Sequence, residues 1–263
     1  MQIHPYWKKK IFGIEIYKIK FLFQKYLYEL LGITLPKMSS QKDYWNTRGE
    51  AYMSDILDSG FEDRELFFQN LLIDHLKQLE FISIFEAGCG FGWNVKRIKQ
   101  EFCDKVVGGV DFSLPQLKNA ENYIGGLDIK LLQGDIINMP FKENEFEIGF
   151  SIGVFMNIHK KNIYKAANEM KRVSKKYIIH LEYDEDNTTE RLREYRKPKT
   201  NIISHDYREI YENLGLKTIV FKTYKDFNDS YEEHLKSVSG TLKRWQNFEG
   251  PEKYILAIFK LNE

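Results

Sequence analysis

Residues 81–93 read Phe-Ile-Ser-Ile-Phe-Glu-Ala-Gly-Cys-Gly-Phe-Gly-Trp, an apolar run followed by an acidic residue and three alternating glycines. The apolar run predicts a strand that is buried on both faces of a sheet. Gly88, Gly90 and Gly92 permit a sharp turn and a close approach of the backbone to a ligand, because glycine has no Cβ. The helix-compatible residues 94–102 follow. A strand, a glycine turn and a helix N-terminus together form the first half of a nucleotide-binding βαβ unit.

Length, composition and charge restrict the class of protein. The 263 residues are enough for one large α/β domain, and 15% aromatic residues argue against disorder. A formal net charge of +1 gives the whole molecule no electrostatic preference for nucleic acid. Two cysteines, Cys89 and Cys103, are too few for a metal cluster, and we expect a reducing cytoplasm. Lysines interrupt the apolar segments near the start, so neither a secretory signal nor a transmembrane segment is predicted.

The first 38 residues differ in charge from the rest of the chain. They contain seven lysines and two glutamates, net +5, whereas the remaining residues carry 32 basic and 36 acidic side chains, net −4. Apolar residues recur every three or four positions in residues 8–31, which predicts an amphipathic helix. These positions are Phe12, Ile16, Ile19, Phe23, Tyr26 and Leu30. Such a helix either packs on the domain or binds an anionic membrane surface, so we separate residues 1–42 from a main domain at 43–263.

Strands alternate with helices after the glycine turn. Further strands are predicted at residues 105–111, 129–133, 146–151, 177–182, 216–224 and 253–261. Asp111 and Asp135 follow or end two of these strands, and Asp111 lies about 25 residues after Glu86, a spacing at which dinucleotide folds place a carboxylate on ribose hydroxyls. The alternation predicts a doubly wound, Rossmann-like α/β fold. Two polar insertions, 183–200 and 225–249, interrupt its later part.

The segment Glu86-Ala-Gly-Cys-Gly-Phe-Gly92 resembles the acidic-x-Gly-x-Gly-x-Gly signature of class I S-adenosylmethionine-dependent methyltransferases. Asp111, Gly134-Asp135 and Ser151 fall where that family continues its pattern. The resemblance covers about residues 43–182 and is strongest to the small-molecule type 11 and type 25 methyltransferase domains. It implies a seven-stranded, mostly parallel sheet with an antiparallel last strand, and it implies S-adenosylmethionine as the cofactor.

The resemblance also implies a role for each matching residue. S-adenosylmethionine would lie over the glycine turn, with Glu86 near its amino group, Asp111 on its ribose hydroxyls and Asp135 at its adenine amino group. Phe112 and Ile136 would pack on the adenine ring. The other implied cofactor contacts are Tyr44, Arg48, Gly88, Cys89, Gly90, Gly92 and Ser151, of which Arg48 would pair with the cofactor carboxylate.

Rival cofactors and acceptors leave several interpretations open. An NAD fingerprint needs a small glycine at the position that Trp93 occupies, which disfavours a dehydrogenase. No carboxylates cluster after the fourth strand of the domain, so no catalytic metal is expected. Motifs of nucleic-acid methyltransferases are absent, which leaves a small or medium polar acceptor such as a sugar or glycan precursor. A protein that binds S-adenosylmethionine as a regulator, or that docks to a membrane or partner, is the alternative.

Methyl transfer to a hydroxyl or a protonated amine requires a general base. The candidates are His159, His205 beside Asp206, and His180 with Glu182, of which His159 and His205 are preferred. We also expect the first insertion and the aromatic residues of the second insertion to cover the acceptor. In the first insertion, basic and aromatic side chains could meet an acidic or phosphate-bearing substrate. These side chains are Arg191, Arg193, Tyr195 and Arg196.

Overall fold

The structure is a computed structural model that describes residues 9–31, 41–59, 61–183, 205–238 and 254–262. The predicted arginine-rich acceptor cover at residues 191–196 lies outside these ranges. So do residues 239–249 of the second insertion. No helix of the described residues combines the length and the apolar character needed to cross a membrane.

The described chain begins with a short hairpin rather than with a helix. Strands β1 (Lys10–Ile11) and β2 (Ile14–Glu15) pair antiparallel, and helix α1 (Ile16–Leu31) follows. The prediction of one helix over residues 8–31 is therefore wrong for its first part. Phe12 and Gly13 have φ angles of 49° and 78°, and this left-handed pair turns the chain before the helix starts.

Two helices precede the first strand of the sheet. They are α2 (Gln41–Ser59) and α3 (Phe61–Leu76), so the proposed boundary between residues 42 and 43 falls in the first turn of α2. Helix α2 packs tightly at Gly49, where a Cβ atom would lie 2.8 Å from the Ser113 hydroxyl. The carbonyl of Gly49 also accepts a hydrogen bond from the Asn119 side chain at 3.0 Å.

The described residues contain one seven-stranded sheet with the strand order β5-β4-β3-β6-β7-β9-β8. Its strands are β3 (Ser83–Ala87), β4 (Val106–Asp111), β5 (Ile129–Gln133), β6 (Phe146–Ile152), β7 (Ser174–Tyr183), β8 (Lys217–Thr223) and β9 (Tyr254–Lys260). Neighbouring strands are parallel except at β9, which pairs antiparallel with both β7 and β8. The predicted Rossmann-like sheet with an antiparallel last strand is confirmed.

Helices cover both faces of this sheet, and each face has its own apolar core. The remaining helices are α4 (Trp93–Glu101), α5 (Leu114–Ile124), α6 (Ile163–Val173), α7 (Tyr207–Asn213) and α8 (Tyr224–Val238). Alternate strand residues point to opposite faces: Phe85 belongs to one core and Ile84 to the other. Asp206 caps α7 by accepting the Glu209 N–H at 2.8 Å. Helix α8 occupies residues 225–238 of the second predicted insertion.

Parallel strands bring their carboxyl ends to one edge of the sheet. The glycine turn after β3, the ends of β4 and β5, and the 3₁₀ turn Phe155–Asn157 after β6 therefore meet at this edge. A ligand site is expected here, because the strand order changes direction beside β3.

Candidate functional site

A cavity of about 740 Å³ lies at the carboxyl edge of the sheet. Side chains of α2 form one wall, and the loops after β3, β4, β5 and β6 form the others. Most of the residues predicted from sequence as site residues line it, namely Glu86, Gly88, Cys89, Gly90, Asp111, Phe112, Asp135, Ile136 and His159. The remaining predicted residues, Tyr44, Arg48, Gly92, Ser151 and His205, lie outside its lining.

The glycine turn has three left-handed glycines with different surroundings. A Cβ at Gly88 would lie 2.5 Å from the Val154 side chain, so this glycine allows the turn to pack against the loop after β6. A Cβ at Gly90 would be no closer than 3.6 Å to a neighbour and would project beside Gln116 at the cavity. Gly92 precedes α4 at a φ of 84° and packs against Ile124, so it serves the helix junction.

Asp111 fixes the glycine turn and the start of α5 with one carboxylate. Its Oδ2 accepts the Gly90 N–H at 2.9 Å, and its Oδ1 accepts the Ser113 N–H at 2.8 Å. Burial raises the pKa of Asp111, although these N–H donors oppose the shift. Each carboxylate oxygen can accept more than one hydrogen bond, so both remain able to bind ligand hydroxyl groups.

Glu86 is oriented by a buried chain of amide groups. Gln69 of α3 donates to the Asn94 Oδ1 at 2.9 Å, and the Asn94 Nδ2 donates to the Glu86 Oε1 at 2.7 Å. The other carboxylate oxygen, Oε2, is buried and has no hydrogen-bond partner among the described residues. Burial raises the pKa of Glu86 to about 8, and the neighbouring Asp111 and Glu182 add to the shift.

A second buried acceptor lies on α5 beside the glycine turn. The side-chain Oε1 of Gln116 has no hydrogen-bond partner within the described part of the chain, and Gln116 is 3% exposed. Unpaired buried polar atoms cost stability, and they are uncommon unless a ligand or water satisfies them. Glu86 and Gln116 therefore give the cavity two acceptors that fit a ligand carrying N–H or O–H donors.

Arg48 and Tyr44 lie on α2 and make contacts within that helix. The Arg48 guanidinium forms an ion pair with Asp55 and lies 5.3 Å from the centre of the Tyr52 ring. The Tyr44 ring contacts Trp45 edge-on at 5.3 Å. Trp45 and Tyr52, rather than Tyr44 and Arg48, reach the cavity.

Glu182 holds the loop after β6 from behind the cavity wall. Its Oε1 accepts the Ser151 hydroxyl at 2.7 Å and the N–H groups of Val154 and Phe155 at 2.9 and 3.0 Å, and its Oε2 accepts the Met156 N–H at 3.2 Å. Burial raises the pKa of Glu182 to about 7, although its hydrogen-bond donors lower it in part. Val154 and Met156 line the cavity, so this one carboxylate positions part of its wall.

The same carboxylate ends a buried chain of hydrogen bonds. The Ser151 Oγ lies 2.8 Å from the His180 Nδ1, and the His180 Nε2 lies 2.7 Å from the Tyr211 hydroxyl. Burial lowers the pKa of His180 to about 3, so its ring is neutral near pH 7. Because the Ser151 hydroxyl donates to the Glu182 Oε1, it accepts from His180, so the His180 proton lies on Nδ1 and Nε2 accepts from the Tyr211 hydroxyl. This arrangement makes Ser151 and His180 supporting residues.

The two preferred base candidates occupy different positions. His159 lines the cavity, and its Nδ1 accepts the Lys161 N–H at 3.3 Å. His205 is 3% exposed, and its Nε2 donates to the Ile158 carbonyl at 3.1 Å. His205 therefore supports the segment that carries His159.

Some cavity residues were not predicted from the sequence. Gln116, Asn94 and Trp45 belong to this group, and each is a side chain on a helix. For Asn94 and Gln116, the only signal in the sequence is that each is a polar residue near the start of a helix that follows a predicted strand. In the described residues, no group of three or more His, Cys, Asp and Glu side chains could hold a metal ion.

Comparison with known proteins agrees with this geometry. Residues 84–177 match the profile of a family described as "Methyltransferase domain". The strand order and the matched segment are those of class I S-adenosylmethionine-dependent methyltransferase domains. The family uses S-adenosylmethionine, which the sequence also indicated.

The individual relatives match only part of this chain or match it at low sequence identity. Malonyl-[acyl-carrier protein] O-methyltransferase of Buchnera aphidicola subsp. Baizongia pistaciae (strain Bp) is 33% identical over 106 residues, which are 40% of this chain and 40% of that protein. Magnesium protoporphyrin IX methyltransferase of Synechocystis PCC 6803, solved with bound SAH, has a TM-score of 0.59 at 14% identity and covers 84% of this chain and 98% of that one. The [4+2]-cyclase SpnF has a TM-score of 0.57 at 13% identity and covers 83% and 95%. The two structural likenesses concern the fold.

The substitution Glu182→Gln tests whether this carboxylate positions the cavity wall. A glutamine places an N–H₂ group where one carboxylate oxygen accepted an N–H, so the loop after β6 loses part of its support. We expect the Kd for S-adenosylmethionine to rise about tenfold, which corresponds to the roughly 1.5 kcal/mol of one hydrogen bond to a charged group. Isothermal titration calorimetry measures this Kd.

Glu147→Gln is the matched control for this substitution. Glu147 also accepts a backbone N–H, that of Ile82 at 2.7 Å, but at the opposite edge of the sheet. Equal Kd values for the two variants would contradict the role assigned to Glu182.

The raised pKa of Glu86 predicts a pH-dependent stability. Between its unfolded pKa near 4.5 and its folded pKa of about 8, the folded protein holds more protons than the unfolded chain. Stability should therefore fall as the pH rises from 6.5 to 8. We restrict the prediction to pH values above 6.5 because of His180, whose pKa is lowered from 6.5 to about 3. Below pH 6.5 this histidine makes stability rise with pH, which opposes the effect of Glu86. Glu86→Gln should reduce this slope in thermal unfolding, and an unchanged slope would refute the assignment.

Proposed function

We propose that the protein transfers a methyl group from S-adenosylmethionine to a small or medium polar acceptor. The observation that carries this proposal is the pair of acidic side chains beside the glycine turn. Asp111 offers two oriented oxygens, and Glu86 offers a buried oxygen without a partner among the described residues. A ribose hydroxyl pair and an amino group are the ligand groups that complement them.

The cavity residues fit the other parts of the cofactor. Phe112 and Ile136 supply apolar surface next to Asp135, as a flat base with a polar edge requires. The Asp135 Oδ1 already accepts the Ile137 N–H at 3.2 Å, which fixes its orientation. When bound, S-adenosylmethionine supplies a methyl group on an already activated sulfonium, so the chain's residues mainly position the reactants.

The acceptor would lie at the end of the cavity formed by the residues after β6. Asn157, His159, Lys161 and Asn162 give this end a polar, partly cationic lining. A sugar or glycan precursor, or another acceptor with hydroxyl groups, suits such a lining. His159 is the proposed base, since it is the preferred histidine that reaches the cavity.

Binding of S-adenosylmethionine without methyl transfer is the second candidate function. The fold does not distinguish the two candidates, because a protein named as a cyclase shares it. This alternative predicts cofactor binding in the absence of any methylated product. NAD is the weaker ligand, because the Trp93 side chain occupies the position of the third fingerprint glycine and lines the cavity.

Asp111→Asn tests the cofactor assignment. The amide keeps the size of the side chain but loses one acceptor oxygen, so we expect the Kd for S-adenosylmethionine to rise at least tenfold. Calorimetric titrations with S-adenosylmethionine and with NAD would be compared for wild type, Asp111→Asn and the control Asp128→Asn, whose side chain is exposed. Binding of NAD alone, or of neither ligand, would contradict the proposal.

His159→Gln tests the catalytic half of the proposal. Loss of a general base lowers a rate by about 10²–10⁴-fold without weakening cofactor binding. Transfer of tritium from methyl-labelled S-adenosylmethionine into small molecules of a cell extract should fall, while the Kd for S-adenosylmethionine stays unchanged. His234→Gln is the control, because His234 binds the Asp63 carbonyl away from the cavity. Equal transfer by both variants would exclude His159 as the base.

A further inference from the structure

Helix α1 presents apolar side chains to the outside of the molecule. Leu22, Phe23 and Tyr26 are 61%, 56% and 63% exposed, and Phe12 at the tip of the hairpin is fully exposed. On the same helix Gln24 is only 4% exposed, so a polar residue faces inward. This orientation is the reverse of that in a helix that packs its apolar stripe on a domain. Contiguous exposed apolar side chains of this kind mark an interaction surface.

Exposed lysines lie on the same hairpin and helix as these apolar side chains. Lys9, Lys10 and Lys18 are exposed on the hairpin and on the first turns of α1. The first 38 residues carry a net charge of +5, whereas the rest of the chain carries −4. An anionic surface would therefore attract this end of the molecule and repel the remainder, which fixes the orientation of the protein on that surface.

The end of α1 reaches the candidate functional site. Leu30 and Leu31 line the cavity, and the Lys161 amine donates to the Leu30 carbonyl at 3.1 Å. A surface that bound α1 would consequently lie beside the part of the cavity assigned to the acceptor. The hairpin, α1 and the cavity mouth thus form one continuous region.

We propose that this region docks on an anionic lipid bilayer. Its docking face consists of Phe12, Leu22, Phe23 and Tyr26, with Lys9, Lys10 and Lys18 on the same hairpin and helix. The apolar side chains enter the boundary between head groups and acyl chains, and the lysines contact the anionic head groups. If the proposed methyl transfer is correct, docking places the acceptor end of the cavity at the lipid surface, so an amphiphilic acceptor can enter from the bilayer.

Vesicle flotation with the full chain tests the docking. Vesicles of phosphatidylcholine with 30% phosphatidylglycerol and vesicles of phosphatidylcholine alone are the two probes. We expect binding to the anionic vesicles, at least tenfold weaker binding to the neutral ones, and a loss of binding as salt concentration rises. Leu22→Gln/Phe23→Gln and Lys10→Gln/Lys18→Gln should each weaken binding to the anionic vesicles at least fivefold.

Matched controls place the same changes elsewhere on the surface. Ile82→Gln/Val106→Gln removes two exposed apolar side chains at the other edge of the sheet, where Ile82 is 68% and Val106 57% exposed. Lys175→Gln/Lys217→Gln removes two exposed lysines outside the docking face. Both controls should bind as wild type does. Equal binding by the α1 variants and their controls would overturn the proposal.

Two further readouts separate the remaining outcomes. Sedimentation velocity without lipid shows whether a second copy of the chain covers the docking face. A wild-type dimer that the Leu22→Gln/Phe23→Gln variant abolishes, together with no vesicle binding, would overturn the proposal. Calorimetry with S-adenosylmethionine is independent of lipid, so a protein that binds vesicles but not this cofactor would refute the proposed function and leave the docking intact.

Discussion

Buried carboxylates that accept backbone N–H groups hold the carboxyl edge of the sheet together. Asp111 binds the N–H groups of Gly90 and Ser113 and thereby ties the glycine turn to the start of α5. Glu182 binds three consecutive N–H groups after β6. Loops at strand ends have no ladder partners for these groups, and a carboxylate satisfies several of them at once. The shape of the cavity depends on these two side chains.

The same burial that makes these contacts strong also opposes ionisation. The pKa values of Glu86, Asp111 and Glu182 are all raised, with burial as the main cause. Glu86 is the extreme case, since one of its oxygens has no partner among the described residues. A ligand that donates to the Glu86 Oε2 supplies the missing hydrogen bond. Ligand binding therefore offsets the cost of burying this oxygen.

Local sequence patterns were sufficient for the sheet and for the acidic residues at its edge. The apolar run before Glu86 and the acidic ends of β4 and β5 are features of single segments, so they could be read without tertiary information. Other features depend on packing between segments. The inward side of α1 and the position of Gln116 in the cavity are set by neighbouring elements. The hairpin before α1 depends on the left-handed Phe12, which its residue type does not favour.

Hydrogen–deuterium exchange with and without S-adenosylmethionine tests the central claim most directly. The claim is that the cofactor occupies the cavity at the carboxyl edge and tightens its carboxylate-bound turns. The cofactor should slow exchange in peptides that cover residues 86–94, 111–116 and 152–159. Peptides at the opposite edge, around residues 104–107, should not change. Unchanged exchange in all of these peptides, or protection only at the opposite edge, would contradict the account.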